Sequence, residues 1–193
     1  MKNIMLIMHL TVVLVLANAR SWDIAPESVI GRWNGFVPDR WKEMTSEKMA
    51  GPGWGISIKK YLGNKYEIIG NFRELAQICF FCDYAPSNSL LSSGLGFGRV
   101  FWQKYTYISG GLNLSAVIRE GPGNEMVHEP ICSQYSCDPG LNNTIWKIDP
   151  AIGMYSSLGV RYGWIGMGIG GDFMYTSFGL IPCASLHLDF FIH

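Results

Sequence analysis

The feature that most constrains this chain is a regular alternation of apolar residues with small or polar ones. Between residues 106 and 118 the even positions are mostly apolar and the odd positions mostly polar or small. Such a period of two places the two sets on opposite faces of a β-strand. Glycine is frequent in these stretches and would disfavour a helix by about 1 kcal/mol per residue. The residues on the apolar face are Ile108, Gly110, Leu112, Leu114, Ala116 and Ile118.

The same alternation recurs along the chain and predicts eight strands. Their connections alternate between short turns, near 62–64, 103–104 and 162–163, and longer segments. Short and long connections in strict succession are typical of an antiparallel up-and-down closed β-barrel that spans a membrane, with short periplasmic turns and longer external loops. The predicted strands are 29–36, 53–61, 65–75, 90–101, 105–118, 152–161, 164–174 and 180–191. The predicted long loops are 37–52, 76–89 and 119–151, with a shorter one at 175–179.

The composition favours a membrane barrel over a soluble one. Hydrophobic residues make up 48% of the chain and charged residues only 16%, whereas soluble domains average about 25% charged residues. No stretch after residue 19 is apolar over the ~18 residues that a spanning helix requires. A closed barrel is the one sheet that pairs every backbone amide inside a bilayer. The sequence therefore predicts a transmembrane β-barrel with its apolar faces turned towards lipid.

The charged residues of the strands fall on the opposite faces, so they are predicted to point into the lumen. Eight strands enclose a narrow interior that side chains fill. Mixed signs predict ion pairs in a packed lumen and no open channel. The predicted lumen charges are Arg32, Lys59, Glu67, Arg73, Arg161, Asp172, His187 and Asp189.

Aromatic residues gather at the short-turn end of the predicted strands. Amphipathic rings prefer the headgroup region of a bilayer, so this set predicts an aromatic girdle. Strand ends of soluble β proteins also carry aromatic residues, which is the alternative explanation. The predicted girdle is Tyr61, Tyr66, Phe101, Trp102, Tyr105, Tyr162, Trp164 and Phe190.

The N-terminus predicts export. Lys2 precedes a mostly apolar run over 4–16, and Ala17 and Ala19 form an A-x-A cleavage site. We expect residues 1–19 to be a signal peptide and 20–193 to form a single barrel domain in the outer membrane, with the lipid bilayer as a partner. The formal net charge of +0 removes any electrostatic case for nucleic acid.

Five cysteines in an exported chain suggest disulfides. Cys79 and Cys82 share one predicted loop, Cys132 and Cys137 share another, and Cys183 lies in the last strand. The simplest interpretation is a bridge within each loop. A zinc site built from the four loop cysteines is a less favoured alternative, because an oxidising compartment favours disulfides.

No catalytic or cofactor-binding constellation is evident, so we expect neither a cofactor nor an enzyme. The glycine-rich runs at 94–98 and 166–171 lack the strand-then-helix context of a phosphate-binding loop. Ser185, His187 and Asp189 share a strand face, but side chains two positions apart on a strand are roughly 7 Å apart, too far for nucleophile and base to touch. Packing within the lumen is the favoured role of His187.

Taken together, the export signal, strand number, loop parity, girdle and amphipathic last strand resemble the small eight-stranded outer-membrane barrels, the class of the OmpA transmembrane domain and OmpX. The resemblance implies a structural, anchoring or loop-mediated interaction role, with an extracellular ligand or protein as the partner of the long loops. One departure concerns the chain end, because Phe190 and Phe191 are followed by Ile192 and His193, whereas the class usually ends on an aromatic residue.

Two other interpretations remain open. Gly31-Arg32-Trp33 is similar to the G-x-W motif of lipocalins and avidins, which implies a secreted or periplasmic barrel that binds a small apolar ligand. Such a barrel would place Leu112, Leu114, Leu186 and Leu188 in its interior. A lipid-modifying barrel enzyme is the other interpretation, and it lacks a recognisable set of catalytic residues.

Overall fold

The computed structural model describes residues 22–36, 48–77, 88–122, 131–132, 137–138 and 144–192. They form ten strands, eight of them long. The strands are β1 (Trp22–Asn34), β2 (Lys48–Leu62), β3 (Tyr66–Ala76), β4 (Ser89–Trp102), β5 (Thr106–Pro122), β6 (Ile131–Cys132), β7 (Cys137–Asp138), β8 (Thr144–Tyr162), β9 (Ile165–Thr176) and β10 (Gly179–Ile192).

The eight long strands close into one antiparallel barrel. Each strand pairs with its neighbour along the chain, and β5 pairs with β8 across the segment that carries the small β6–β7 hairpin. The first and last strands complete the circle, with Trp22 opposite Ile192 and Gly31 opposite Cys183. The predicted fold, a closed up-and-down barrel of eight strands, is confirmed.

Tight turns join the strands at one end of the barrel. They occupy residues 63–65, 103–105 and 163–164. Gly63 and Gly163 have φ values of 65° and 66°, in the left-handed region that glycine adopts without steric cost. We call this end the short-turn end and the opposite end the loop end.

The apolar faces of the strands lie on the outside of the barrel. Leu112, Leu114 and Leu186 are exposed by 62%, 66% and 61%, whereas their neighbours Asn113 and His187 are exposed by 2% and 3%. This is the reverse of a soluble barrel, and it contradicts the lipocalin-like placement of these leucines in the interior. The described residues include no helix that is long and apolar enough to cross a membrane.

Several strands are longer than predicted, β1 at the short-turn end and β2, β5 and β8 at the loop end. β1 begins at Trp22, where residue 29 was predicted, because Asp23, Ala25 and Glu27 continue the inward face. β8 begins at Thr144, where 152 was predicted. The predicted loops 37–52, 76–89 and 119–151 were therefore too long, since the strands bounding them leave 35–47, 77–88 and 123–143 between their ends.

The prediction for Arg32 was wrong. Arg32 points outwards, whereas Val29 and Trp33 are buried inside the barrel at 2% and 1% exposure. The physical reason is that the lumen is apolar at this level, so the apolar residues of β1 face inwards and its cation faces outwards, near the loop end of the strand.

Candidate functional site

A buried charge network, the Lys59 network, occupies the lumen nearest the short-turn end. The ammonium Nζ of Lys59 lies 3.4 Å from Asp23 Oδ2 and 3.3 Å from Asp189 Oδ1. The hydroxyl of Tyr61 donates to Asp23, and that of Tyr107 donates to Asp189. Since the side chains of Asp23 and Asp189 are fully buried, the single cation stabilises both carboxylates away from water.

His187 joins this network to β8. Its Nδ1 lies 3.0 Å from Asp189 Oδ1, and its Nε2 lies 3.0 Å from Ser157 Oγ. A serine, a histidine and an aspartate in this order have the connectivity of a hydrolytic triad. The surroundings are filled, however: a Cβ added at Gly168 would lie 2.6 Å from His187 Cε1, and one at Gly159 would lie 2.5 Å from the Tyr107 ring. These contacts favour packing over substrate binding.

A second network, the Arg73 network, lies between the Lys59 network and the loop end. Arg73 Nε donates to Glu27 Oε2 at 2.7 Å, and Arg73 Nη1 donates to Asp172 Oδ2. Asn113 Nδ2 donates to Asp172 Oδ1 at 3.2 Å. The cation contacts two carboxylates from strands on either side of β10, so it links distant parts of the barrel wall. Glu67 has a separate partner, the hydroxyl of Tyr155, at 2.9 Å.

Above these networks the lumen is closed by apolar side chains, which we call the plug. On three strands a plug residue follows a network residue towards the loop end: Val29 follows Glu27, Leu75 follows Arg73, and Met174 follows Asp172. The plug consists of Val29, Trp33, Met49, Leu75, Leu90, Val117, Ala151, Met174, Ile181 and Cys183, with Phe178 packed against it.

Arg119 covers the plug at the loop end. Its guanidinium carbon lies 3.5 Å from the centroid of the Phe178 ring and 4.8 Å from that of Phe36. Nη2 lies 3.4 Å from Asp149 Oδ2, and Nη1 donates to the carbonyl of Asn34 at 3.0 Å. The cation thereby ties three strand ends together beneath the long loops.

The predicted lumen charges other than Arg32 have inward positions. Lys59, Glu67, Arg73, Asp172, His187 and Asp189 are each exposed by 4% or less. Arg161 is only half-buried, because it lies at the short-turn mouth of the barrel, 4.1 Å above the Phe191 ring. Sequence reasoning missed Asp23 and Glu27, whose strand was predicted to begin too late, and Ser157, whose partner lies on another strand.

Six members of the predicted aromatic girdle face outwards at the short-turn end. Tyr66 stacks on Phe97 and Trp164 stacks on Phe190, with centroid distances of 5.7 and 6.3 Å. The outward members are Tyr66, Phe101, Tyr105, Tyr162, Trp164 and Phe190.

For Tyr61 and Trp102 the girdle prediction was wrong. Both pack against the buried ring of Phe191 inside the short-turn mouth, at centroid distances of 6.4 and 6.0 Å. The inward face of this barrel end is aromatic as well as the outward face, so a cluster of rings in the sequence does not by itself distinguish the two faces.

The short-turn mouth contains a pocket of about 540 Å³. Its floor is formed by Tyr61, Trp102 and Phe191, and cations stand at its edge. Those cations are Lys65, Arg99 and Arg161.

The structure describes only some of the cysteines that were predicted to form disulfides. Cys79 and Cys82 lie outside the described residues. The backbones of Cys132 and Cys137 are directly opposite each other in the β6–β7 hairpin. Cys183 is a buried free thiol in the plug. No group of metal ligands occurs within the described ranges.

No protein-family model and no curated protein sequence matches the chain. Several solved structures match it in fold. Neisserial surface protein A has 8% sequence identity to the chain and a TM-score of 0.59, over 90% of this chain and 97% of that one. The attachment invasion locus protein Ail of Yersinia pestis has 9% identity and a TM-score of 0.55, over 89% and 97%.

A second Ail structure, in complex with the heparin analogue sucrose octasulfate, has 10% identity and a TM-score of 0.53 over the same shares. Identities this low establish a shared fold and nothing finer. The chain has the fold of the small eight-stranded outer-membrane β-barrels.

Proposed function

We propose that this chain is an outer-membrane protein that anchors its long loops at the cell surface, where they bind a partner. The observation that supports the membrane placement best is the outer wall. Large apolar side chains cover it around the barrel, including Leu112, Leu114, Ile152, Ile169 and Leu186, each exposed by more than half. A contiguous apolar surface of this size requires an apolar solvent.

The packed lumen supports an anchoring role and argues against a pore. The Lys59 network, the Arg73 network and the plug follow one another along the axis of the barrel. Ion pairs inside a narrow barrel hold opposite walls together, as Arg73 does between Glu27 and Asp172. A solute would have to displace both networks and the plug to pass.

The charge of the loops informs the choice of partner. The three long segments between strands, 35–47, 77–88 and 123–143, contain seven acidic residues and two basic ones. A sulfated polyanion, such as the heparin analogue bound to Ail, would be repelled by these loops at low salt. The charge favours a protein or ligand whose binding surface is neutral or basic.

A disulfide between Cys132 and Cys137 would stiffen the longest loop. Opposed residues of an antiparallel pair have Cα atoms about 4.5–5.5 Å apart, within the range that a disulfide spans. The β6–β7 register supports this pairing. We propose it together with a Cys79–Cys82 bridge and removal of residues 1–19 on export.

Replacing a wall leucine with arginine tests the membrane placement. Leu114 lies at the middle of β5, whereas Leu180 lies at the loop end of β10, and both point outwards. We expect Leu114→Arg to lower the free energy of unfolding by about 2–4 kcal/mol and Leu180→Arg by about 0–1 kcal/mol, because the effect of a charge depends on depth in the bilayer.

The measurement is urea unfolding of the protein in lipid vesicles, followed by heat-modifiable migration on a gel. The parent protein should fractionate with the outer membrane and migrate differently before and after boiling. Equal effects of the two substitutions, or recovery of the parent protein in the soluble fraction, would refute the proposal.

A further inference from the structure

The outer wall carries an apolar groove of about 380 Å³ at the short-turn end. Its volume falls within the roughly 300–1,000 Å³ of small-molecule pockets. The walls are formed by Val160, Ile165, Met167 and Leu188, and the rings of Tyr105 and Tyr162 stand at its end. The groove therefore begins at the aromatic girdle and runs along β8, β9 and β10 into the apolar wall.

Cations surround the short-turn end. Lys65, Arg99 and Lys104 are exposed, and Lys60 and Arg161 are half-buried. The acidic residues described at this end, Asp23, Glu67 and Asp189, are fully buried in the lumen. Among the described residues, the accessible surface of this rim thus carries positive charge alone, in contrast to the acidic loops at the other end.

One of these cations, Lys104, lies next to the groove. Arg161 also lines the groove, but its guanidinium lies over the Phe191 ring in the mouth of the barrel and its Nε donates to the carbonyl of Gly163 at 2.9 Å. The Nζ of Lys104 lies 4.9 Å from the centroid of the Tyr105 ring, which itself lines the groove. An apolar channel with a cation at its girdle end matches an amphiphile with an anionic headgroup.

We propose that this groove binds one glycerophospholipid of the periplasmic leaflet, with an acyl chain along Met167 and the phosphate at Lys104. The inference rests on the proposed membrane placement, in which short turns face the periplasm. Girdle rings lie at the level of the headgroups, so the phosphate of a lipid in the groove would meet Lys104. Basic residues beside a membrane-embedded surface bind such headgroups.

The first test separates the headgroup from the acyl chain. Purified barrel in detergent is titrated with phosphatidylglycerol, diacylglycerol or glycerol 3-phosphate, and bound ligand is counted by native mass spectrometry. We expect one phosphatidylglycerol to bind tightly, and diacylglycerol and glycerol 3-phosphate to bind at least tenfold more weakly. Equal binding of diacylglycerol would overturn the role of the cation, and equal binding of glycerol 3-phosphate would overturn the role of the groove.

Matched substitutions then locate the site. Lys104→Gln should weaken phosphatidylglycerol binding about fivefold, the contribution of one cation near a membrane surface. Lys60→Gln removes the same charge from β2, which β1 separates from the groove strands, and should leave binding unchanged. Met167→Trp fills the groove and should abolish binding, whereas Ile169→Trp, one outward position further along β9, should not.

Each substituted protein is first checked for heat-modifiable migration, which reports a folded membrane barrel. If the parent protein itself showed no heat-modifiable migration, the result would count against the proposed function. Retained migration with equal lipid binding by Lys104→Gln and Lys60→Gln, or by Met167→Trp and Ile169→Trp, would overturn the lipid site alone.

Discussion

The two halves of the lumen are filled by opposite chemistry. The half nearer the short turns contains the Lys59 and Arg73 networks, in which each cation contacts two carboxylates. The other half contains the plug, where Trp33, Leu75 and Leu90 are each exposed by 1% or less. Both halves close the barrel, but the networks do so through directional contacts that need every partner, and the plug does so through close packing.

This difference explains why the alternation of residue types identifies the inward face in some parts of the strands and not in others. Beside the networks the contrast is between charged and apolar residues, as for Asp189 between Leu188 and Phe190 or Asp172 next to Phe173. Beside the plug the inward face is itself apolar, so a charged residue no longer marks it. The assignment failed for Arg32 on β1 for that reason, because Val29 and Trp33 are plug residues.

The largest effect that we expect from a single lumen substitution is at Arg73. Arg73→Met removes the cation and leaves Glu27 and Asp172 buried without it, which should lower the free energy of unfolding by about 3–5 kcal/mol. The measurement is urea unfolding in lipid vesicles. The combination Arg73→Met, Glu27→Gln and Asp172→Asn should recover much of the loss, because it leaves no unpaired charge. A triple variant as unstable as Arg73→Met would show that the damage comes from lost packing.

Leu90 provides the corresponding test of the plug. Leu90→Ala should lower the free energy of unfolding by about 3 kcal/mol, since it opens a cavity among fully buried side chains. Leu90→Met conserves most of the volume and should cost less than about 1.5 kcal/mol. Both effects should be the same at low and high salt, in the same vesicles. A similar loss for Met and Ala would mean that the plug depends on specific shape as strongly as the networks depend on charge.

Much of the fold followed from the sequence, because strand parity and loop parity are local properties. The contacts of the lumen are not local. Ser157 Oγ contacts His187 across 30 positions of the chain, and Arg73 contacts Asp172 across 99. Barrel closure and the stagger of the strands determine such pairs, and alternation within one strand contains no information on them. Tyr61 and Trp102 illustrate the same limit, since rings on both faces gather at one barrel end.

The smallest expected effect is at Arg32, and it decides whether the inward face of β1 is correctly assigned. Arg32 points outwards near the loop end of the strand, where a bilayer tolerates a cation at a cost of about 0–1 kcal/mol. Arg32→Gln should therefore change the free energy of unfolding by no more than about 0.5 kcal/mol.

The matched control is Lys59→Gln, the same kind of change on an inward position. It removes the cation from between Asp23 and Asp189 and should cost about 3 kcal/mol or more. Measured side by side in vesicles, the two substitutions compare a cation at the membrane surface with one that holds the lumen together. A loss at Arg32 comparable to that at Lys59 would place Arg32 inside the barrel and would reverse the orientation of every residue of β1.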